Sequence, residues 1–469
     1  MKKTSFFLFL LLVGFKVNAQ YISEVIEYTP APGQFINTSY GNPEAAQSIT
    51  GTATGLVSLG AFGGYIVFKF QNPVENNPDN PYGIDFTVFG NPASVNSAEP
   101  ASVFVMKDKN NNGLPDDTWY ELAGSDYFFS SSIKNYEISY TNPNQSVAAD
   151  VPWTDNQNSS GFVYANDFHT QPYYPNSENF PAVNQSEYTL SGTKIEAAID
   201  LSDAANIKSY RRAFGYADNH TRGNINSPLP DNPYTEDIEG TGGDAFDISW
   251  AVDENGNYVD LNEADFIKVQ CAVNANLAWL GELSTEITRA LDVAPDASVN
   301  GTEDMVVIKD LPKKILTNTP YQLEAFAFHL GKIIPTENII WTTNLAGTVI
   351  NENNILNVSE VGTLVLTASF ESNPDIFANF VTEVTEQADI EHLKQDKYKI
   401  YPNPAVSYFQ IKNSKNLNVE MYNSYGKCVK KILDCSETDK INIETLSKGI
   451  YFLKIEDKNN SFIKKVIKN

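Results

Sequence analysis

The stretch Tyr65-Ile66-Val67-Phe68-Lys69-Phe70 decides the fold. It is rich in β-branched and aromatic side chains and too short for a buried helix, so it reads as a strand. A loop rich in Asn and Pro follows at Asn72–Pro81. Asp85-Phe86-Thr87-Val88-Phe89 and Ser102-Val103-Phe104-Val105-Met106 then repeat the same signal. Further on, Asp253-Glu254-Asn255-Gly256-Asn257 predicts a hairpin turn between Ile248–Val252 and Tyr258–Leu261, because Asn-Gly supplies the positive φ angles that tight hairpins require. Composition agrees: 24 Tyr, 27 Phe and 27 Gly stand against 4 Met, and long helical periodicities are hard to find. The expectation is an all-β chain built of sandwiches with elaborate loops.

At 469 residues the chain exceeds one ordinary domain. Met1-Lys2-Lys3, the apolar run Phe6 to Phe15 and the small-residue site Val17-Asn18-Ala19 read as a secretory signal peptide over 1–19. That run is too short for a membrane span, which needs roughly 20 apolar residues, and no later stretch qualifies. No cysteine follows the cut, so a lipoprotein anchor is not expected. Residues 20–299 form one large block. Pro, Asp, Ser, Asn and Gly around Ala294–Thr302 mark a boundary. Residues 300–390 carry short strands at Met305–Ile308, Tyr321–Phe328, Ile339–Thr342, Gly347–Ile350, Thr363–Phe370 and Phe380–Val384. With Trp341 in the third of these, the segment resembles an immunoglobulin-like spacer module. The polar stretch Thr385–Lys397 leads into the last segment, 391–469.

The formal charge of −25 is unevenly spread. Residues 391–469 hold 15 lysines and 9 acids, a balance of +6, which leaves 18 basic and 49 acidic residues, or −31, for residues 1–390. So acidic a block repels nucleic acid and attracts cations such as calcium, or simply keeps a secreted surface soluble. Three cysteines, Cys271, Cys428 and Cys435, show no CxxC spacing and predict neither a disulfide framework nor a zinc site. Whether Cys428 and Cys435 pair across a hairpin is a question of geometry. Cys271, in the apolar run Phe266–Val273, is expected to be buried.

The final segment begins Tyr398-Lys399-Ile400-Tyr401-Pro402-Asn403-Pro404, continues through Leu446-Ser447-Lys448-Gly449-Ile450-Tyr451 and ends Lys464-Lys465-Val466-Ile467-Lys468-Asn469. These motifs, in that order at that end, resemble the type A C-terminal sorting domain of the type IX secretion system of Bacteroidota. The resemblance implies a small β-sandwich, export through the periplasm to the cell surface or beyond, and two partners: the secretion machinery and its sortase-like peptidase.

Four phrases of the large block resemble a family of secreted bacterial jelly-roll-like domains. They are Val57–Val67, Asp85-Phe86-Thr87-Val88-Phe89-Gly90-Asn91, Glu99-Pro100-Ala101-Ser102-Val103 and Gly242-Gly243-Asp244-Ala245-Phe246-Asp247. The resemblance implies a jelly-roll-like β-sandwich in cell-surface proteins. No activity is established for that family, and some members are associated with nutrient capture, corrinoid uptake included.

Three groups of residues are candidates for chemistry. Asp108-Lys109-Asn110-Asn111-Asn112-Gly113-Leu114-Pro115-Asp116-Asp117 places oxygen side chains at positions 1, 3, 5 and 9 with Gly at 6, the pattern of a calcium loop. The expected ligands are Asp108, Asn110, Asn112, the Leu114 carbonyl, Asp116 and Asp117. Trp119 stands where a bidentate acid would complete the set, so Asp117 or Glu121 must substitute, or the segment is a metal-free polar turn. Asp85, Glu99, Asp244 and Asp247 either line a shared site or cap turns. Trp153, Tyr164, Phe168, His169, Tyr173, Tyr174 and Phe180 crowd a loop otherwise made of Asn, Pro, Ser and Gln. They form either a stacking platform for a sugar or small molecule, or the packing of that loop onto the sandwich. Arg211 and Arg212 follow, to clamp an anion or neutralise neighbouring acids. No GxSxG elbow, HExxH helix or P-loop occurs. The expectation is therefore a binding protein for a glycan or small nutrient with calcium-stabilised loops. A carbohydrate-active hydrolase using two carboxylates, or a non-catalytic adhesin, is the alternative.

Overall fold

The computed structural model describes residues 20–51, 55–94, 96–203, 205–220, 243–295, 304–386, 398–415, 417–423, 427–456 and 461–469. The leader 1–19, Gly242 and most of the two inter-segment stretches lie outside the described residues. The chain divides into two units, Met1–Thr385 and Glu386–Asn469. Among the described residues no helix is long and apolar enough to cross a membrane.

The opening strand forms over Tyr65–Lys69 and pairs antiparallel with Glu24–Thr29 on one side and Phe266–Cys271 on the other. Ala101–Met106, Trp119–Leu122 and Ala251–Val252 complete a six-stranded sheet. The side chains of Ile66, Phe68, Val103, Val105, Ile267 and Val269 point into the main core. Val67, Met106 and Phe266 are buried on the opposite face. Burial on both faces explains why these strands read as continuous apolar runs instead of alternating ones.

A three-stranded sheet, Gly243–Phe246, Phe86–Phe89 and Arg289–Asp292, contributes Phe86, Val88, Phe246 and Ala290 to the same core. The Phe86 and Phe246 rings stack at 5.3 Å. A second, four-stranded sheet is built from Ser160–Val163, Val151–Asp155, Ile133–Thr141 and Glu187–Lys194. The expected hairpin turn is present: Asp253 Oδ1 accepts from the N–H groups of Asn255 and Asn257, both at 2.9 Å, and Gly256 takes a φ of 79°. Its first arm differs from expectation. Ile248–Trp250 is a 3-10 turn, because the Asp247 carboxylate accepts from Ser249 N at 2.6 Å and caps it.

Within the first unit, Asp304–Thr385 folds into short sheets, one of which pairs Lys314–Leu316 in parallel with Phe377–Thr385. The run expected as one strand over Tyr321–Phe328 breaks into Tyr321–Gln322 and Ala325–His329. Leu323 turns into the module's own core, whereas Phe328 joins the core of the large sandwich. The join is substantial: Phe328 meets Phe214 at 5.1 Å between ring centroids, and Trp250 Nε1 donates to the Leu330 carbonyl at 2.7 Å.

The second unit has a four-stranded sheet, Cys428–Cys435, Leu417–Asn423, Gly449–Glu456 and Ser461–Lys468, and a three-stranded one. Phe409, Ile411, Val419, Met421, Leu453 and Ile455 fill its core. All three cysteines are free. Cys428 and Cys435 stand at opposite ends of one strand, about 20 Å apart at roughly 3.3 Å per residue, so no bridge can join them.

Candidate ligand and metal site

The site is assembled where three chain segments meet. Glu99 stands two residues before the start of the strand Ala101–Met106, and its N–H donates to the Asp218 carbonyl at 2.9 Å. Glu286 lies on the short strand Glu286–Ile287, paired with Val57–Ser58. Asp218 has a φ of 56° and follows Ala217, which bridges to Ala101. One carboxylate oxygen from each of Glu99, Asp218 and Glu286 lies within 4.8 Å of the others, so the three could coordinate a metal ion. Two oxygens on opposite sides of a cation, each bonded at about 2.4 Å, are separated by about that distance.

Backbone amides hold the cluster in place. Asp218 accepts from Asn91 N at 2.8 Å and from Glu286 N at 2.7 Å, Glu99 from Ser284 N at 3.3 Å, and Glu286 from the Ser284 hydroxyl at 2.9 Å. Gly90 is required here, because a Cβ on it would stand 2.0 Å from Asp218 Oδ1. A fourth acid, Glu282, is 3 % exposed; its Oε1 accepts from Gln34 N at 2.7 Å, while its Oε2 is buried with no hydrogen-bond partner.

Burial raises all four carboxyls. Glu282 is pushed up to about 8. Glu99 is held well above the usual range by burial and then by the neighbouring charges of Glu286 and Asp218. Asp218 is raised by burial and by Glu286, and Glu286 by burial. Glu99 and Glu286 face each other closely enough that each raises or steadies the other's carboxyl. Among the described residues none of the four forms a salt bridge.

Three of the four acids, Glu99, Glu282 and Glu286, line a cavity of about 480 Å³ together with Phe35, Tyr40, Leu56, Leu277 and Leu280. That size falls within the range of small-molecule sites. Aromatic groups continue beside it: Phe35 packs against His169 at 4.8 Å and Tyr40 at 6.3 Å, and Trp279, 51 % exposed, meets Phe168 at 6.2 Å.

Of the aromatic and basic residues expected to bind a ligand, two reach this place and the others scatter. His169 packs on the cavity-lining Phe35, and Phe168 packs on Trp279. Tyr173 and Tyr174 are buried in the second core together with Phe180, and Trp153 packs against it. Tyr164 is exposed beside Phe162. Arg212 is buried and paired with Asp126 at 3.0 Å and Asp310 at 3.5 Å, and Arg211 is held near Asp244. The four acids, expected either to line a shared site or to cap turns, do not all come together, and Asp247 caps the turn at Ile248–Trp250. Asp85 and Asp247 lie together, Asp244 binds His220 Nδ1 at 2.6 Å, and only Glu99 belongs to the cluster.

The 108–117 loop closes on itself. Asp108 accepts from Asn112 N at 3.2 Å and Gly113 N at 2.8 Å, Asp116 from the Asn110 and Asn112 side chains at 3.1 and 2.9 Å, and Asp117 from Lys109 N at 2.9 Å. Leu114 is exposed, its N–H bonded to Asn112 Oδ1 at 2.8 Å.

Asp218, Glu282, Glu286, Phe35, Tyr40 and Trp279 are not singled out by the sequence. A period-2 signal is present in Glu282-Leu283-Ser284-Thr285-Glu286, which aligns three polar side chains on one strand face. Such a pattern ordinarily describes a solvated face, and here that face lines a cavity.

Comparison with known proteins bears on the second unit. Residues 399–469 match the family model "Secretion system C-terminal sorting domain". A 67-residue stretch is 36 % identical to β-agarase A of Zobellia galactanivorans, covering 14 % of this chain and 12 % of that protein. Among solved structures, PorZ of Porphyromonas gingivalis, a surface component of the type IX secretion system, is 13 % identical over 38 % of this chain and 24 % of its own, with a TM-score of 0.15. Three N-terminal domains of the bacteriophage RB49 outer capsid protein Hoc are 11 % identical over 45 % of this chain and 85 % of theirs, with a TM-score of 0.18. The chain is thus an all-β, surface-exposed type IX secretion substrate that passes through the periplasm. Its sorting domain implies interaction with the secretion machinery.

Proposed function

We propose that the first unit is a binding module which captures a glycan or other small nutrient outside the cell. The observation that carries the reading is the cavity: aromatic and aliphatic walls above a floor of acids suit a ligand with flat apolar faces and polar edges. Phe35, Tyr40 and Trp279 serve as stacking surfaces, with Phe168 and His169 beside them. Asp304–Thr385 acts as a spacer that presents the sandwich, and the sorting domain is the export label recognised by the sortase-like peptidase.

The test is retention of the full chain on immobilised polysaccharides, with a thermal-shift screen of oligosaccharides and corrinoids. Tyr40→Ala combined with Trp279→Ala should abolish retention while the melting temperature holds. Undiminished retention by that double variant removes the cavity from the account.

One observation favours a second reading. Glu282, pushed up to about 8, is protonated at neutral pH beside further carboxylates, an arrangement that a glycosidase uses to split the roles of acid and base. Release of new reducing ends, lost in Glu282→Gln, would establish it over pure binding.

A further inference from the structure

We propose that Glu99, Asp218 and Glu286, with Glu282 beside them, hold a calcium ion at the floor of the cavity. The inference rests on reading that cavity as a binding site, and it extends the reading by giving the site a resident cation. The spacing of the three oxygens fits a single coordination sphere. Every candidate donor is a carboxylate oxygen; among the described residues no imidazole or thiolate joins them. Such a set selects a hard cation over zinc or copper.

Charge supports the same conclusion. Glu99, Glu282 and Glu286 line the cavity, Asp218 joins two of them, and none of the four has a salt-bridge partner among the described residues. An ionised carboxylate removed from water is strongly disfavoured unless a positive charge or a proton accompanies it. The backbone amides described above neutralise only part of this burden. They also leave the second oxygen of Glu282 buried and unbonded at the cavity edge. That orphan atom is independent of the triad's geometry, and it marks a polar atom that the protein's own groups leave unmet.

A carboxylate binds a cation only when ionised, so proton and calcium compete for the same oxygens and affinity rises with pH.

The experiment is calorimetric titration of the chelator-treated full chain with calcium chloride at pH 7. We expect one binding event, which disappears in Glu286→Gln. It should persist in Asp108→Ala, so that the exposed 108–117 loop is not its source. Because Glu286→Gln disturbs buried packing, Glu99→Gln is measured alongside, with circular dichroism confirming the fold of both. An event that survives both substitutions in folded protein overturns the proposal, as does an event lost in Asp108→Ala, or no event at all. Tyr40→Ala with Trp279→Ala must leave the calcium event intact. Loss of sugar retention in that variant concerns the organic ligand alone.

Discussion

The buried Glu282 makes stability depend on pH in a direction opposite to that of an ordinary salt-bridged acid. Its carboxyl stands near 4.5 when exposed and is pushed up to about 8 in the fold by burial. The folded chain thus binds this proton more tightly than the unfolded one. The contribution is fully present below pH 4.5 and is lost as pH rises through 8. Over that window of about 3.5 pH steps, at 1.36 kcal/mol each, the loss is roughly 5 kcal/mol. For a unit of roughly 370 residues, with an unfolding entropy of about 2.1 cal/mol/K per residue, that corresponds to a fall of about 6 °C in melting temperature. Glu282→Gln keeps the shape of the protonated acid and retains an oxygen to accept from Gln34 N, but it cannot ionise. Melting curves of both proteins in chelator at pH 5, 6, 7 and 8 should diverge progressively, with the variant the more stable at pH 8 by several degrees. Glu99, Asp218 and Glu286 act alike in both chains, so the difference between the two reports Glu282. Parallel curves across the whole window would refute the reasoning, since they would mean that this carboxyl ionises as freely inside the fold as outside it.

Tyr173→Ala and Tyr174→Ala each remove a ring buried to within 3 % of its surface, so each should destabilise by about 3–5 kcal/mol in urea unfolding; unchanged stability would return those rings to a ligand surface. Asp108→Ala should lower the melting temperature slightly even in chelator, because Asn112 N and Gly113 N lose their acceptor, and any extra rise given by calcium at that loop should vanish with it. Identical wild-type melts in calcium and in chelator would dismiss the loop as a metal site. Removal of residues 399–469 should leave the chain in the periplasm by cell fractionation; export at the normal level would contradict the role of the sorting domain.

The framework is readable because the strands announce themselves. Tyr65–Phe70, Ser102–Met106 and Phe266–Cys271 form where apolar density predicts, and burial on both faces accounts for that density. The phrases ending in Gly90-Asn91 and opening with Glu99 also point to the right region, since Gly90 makes room for Asp218, Asn91 N binds it, and Glu99 is one of the triad. The remaining partners are not readable, for a physical reason. Glu99 lies 119 residues from Asp218 and 187 from Glu286, and only pairing of short strands and bridges brings them together. Nothing local distinguishes a buried acid in a strand from an exposed one. The aromatic loop shows the converse difficulty: Tyr173 and Phe168 read alike in sequence, yet one fills a core and the other is 70 % exposed beside Trp279. Trp250 carries no local signal in its short 3-10 turn, although it anchors the following module through Leu330.

Export gives the acid cluster its sense. Four of the 49 acids in the first 390 residues are drawn into this one cluster, where an apolar wall of the same shape would be less costly to form. Their retention in one cavity fits a site whose counter-charge arrives from solution. Calcium sites of extracellular modules bind with dissociation constants on the order of 10⁻⁴–10⁻³ M, so such a site fills only where calcium is plentiful. The sorting domain carries the chain outward, into the setting where that can happen. Until then the buried Glu282 stands as a neutral acid, and its pH response is the measurable trace of the metal-free state.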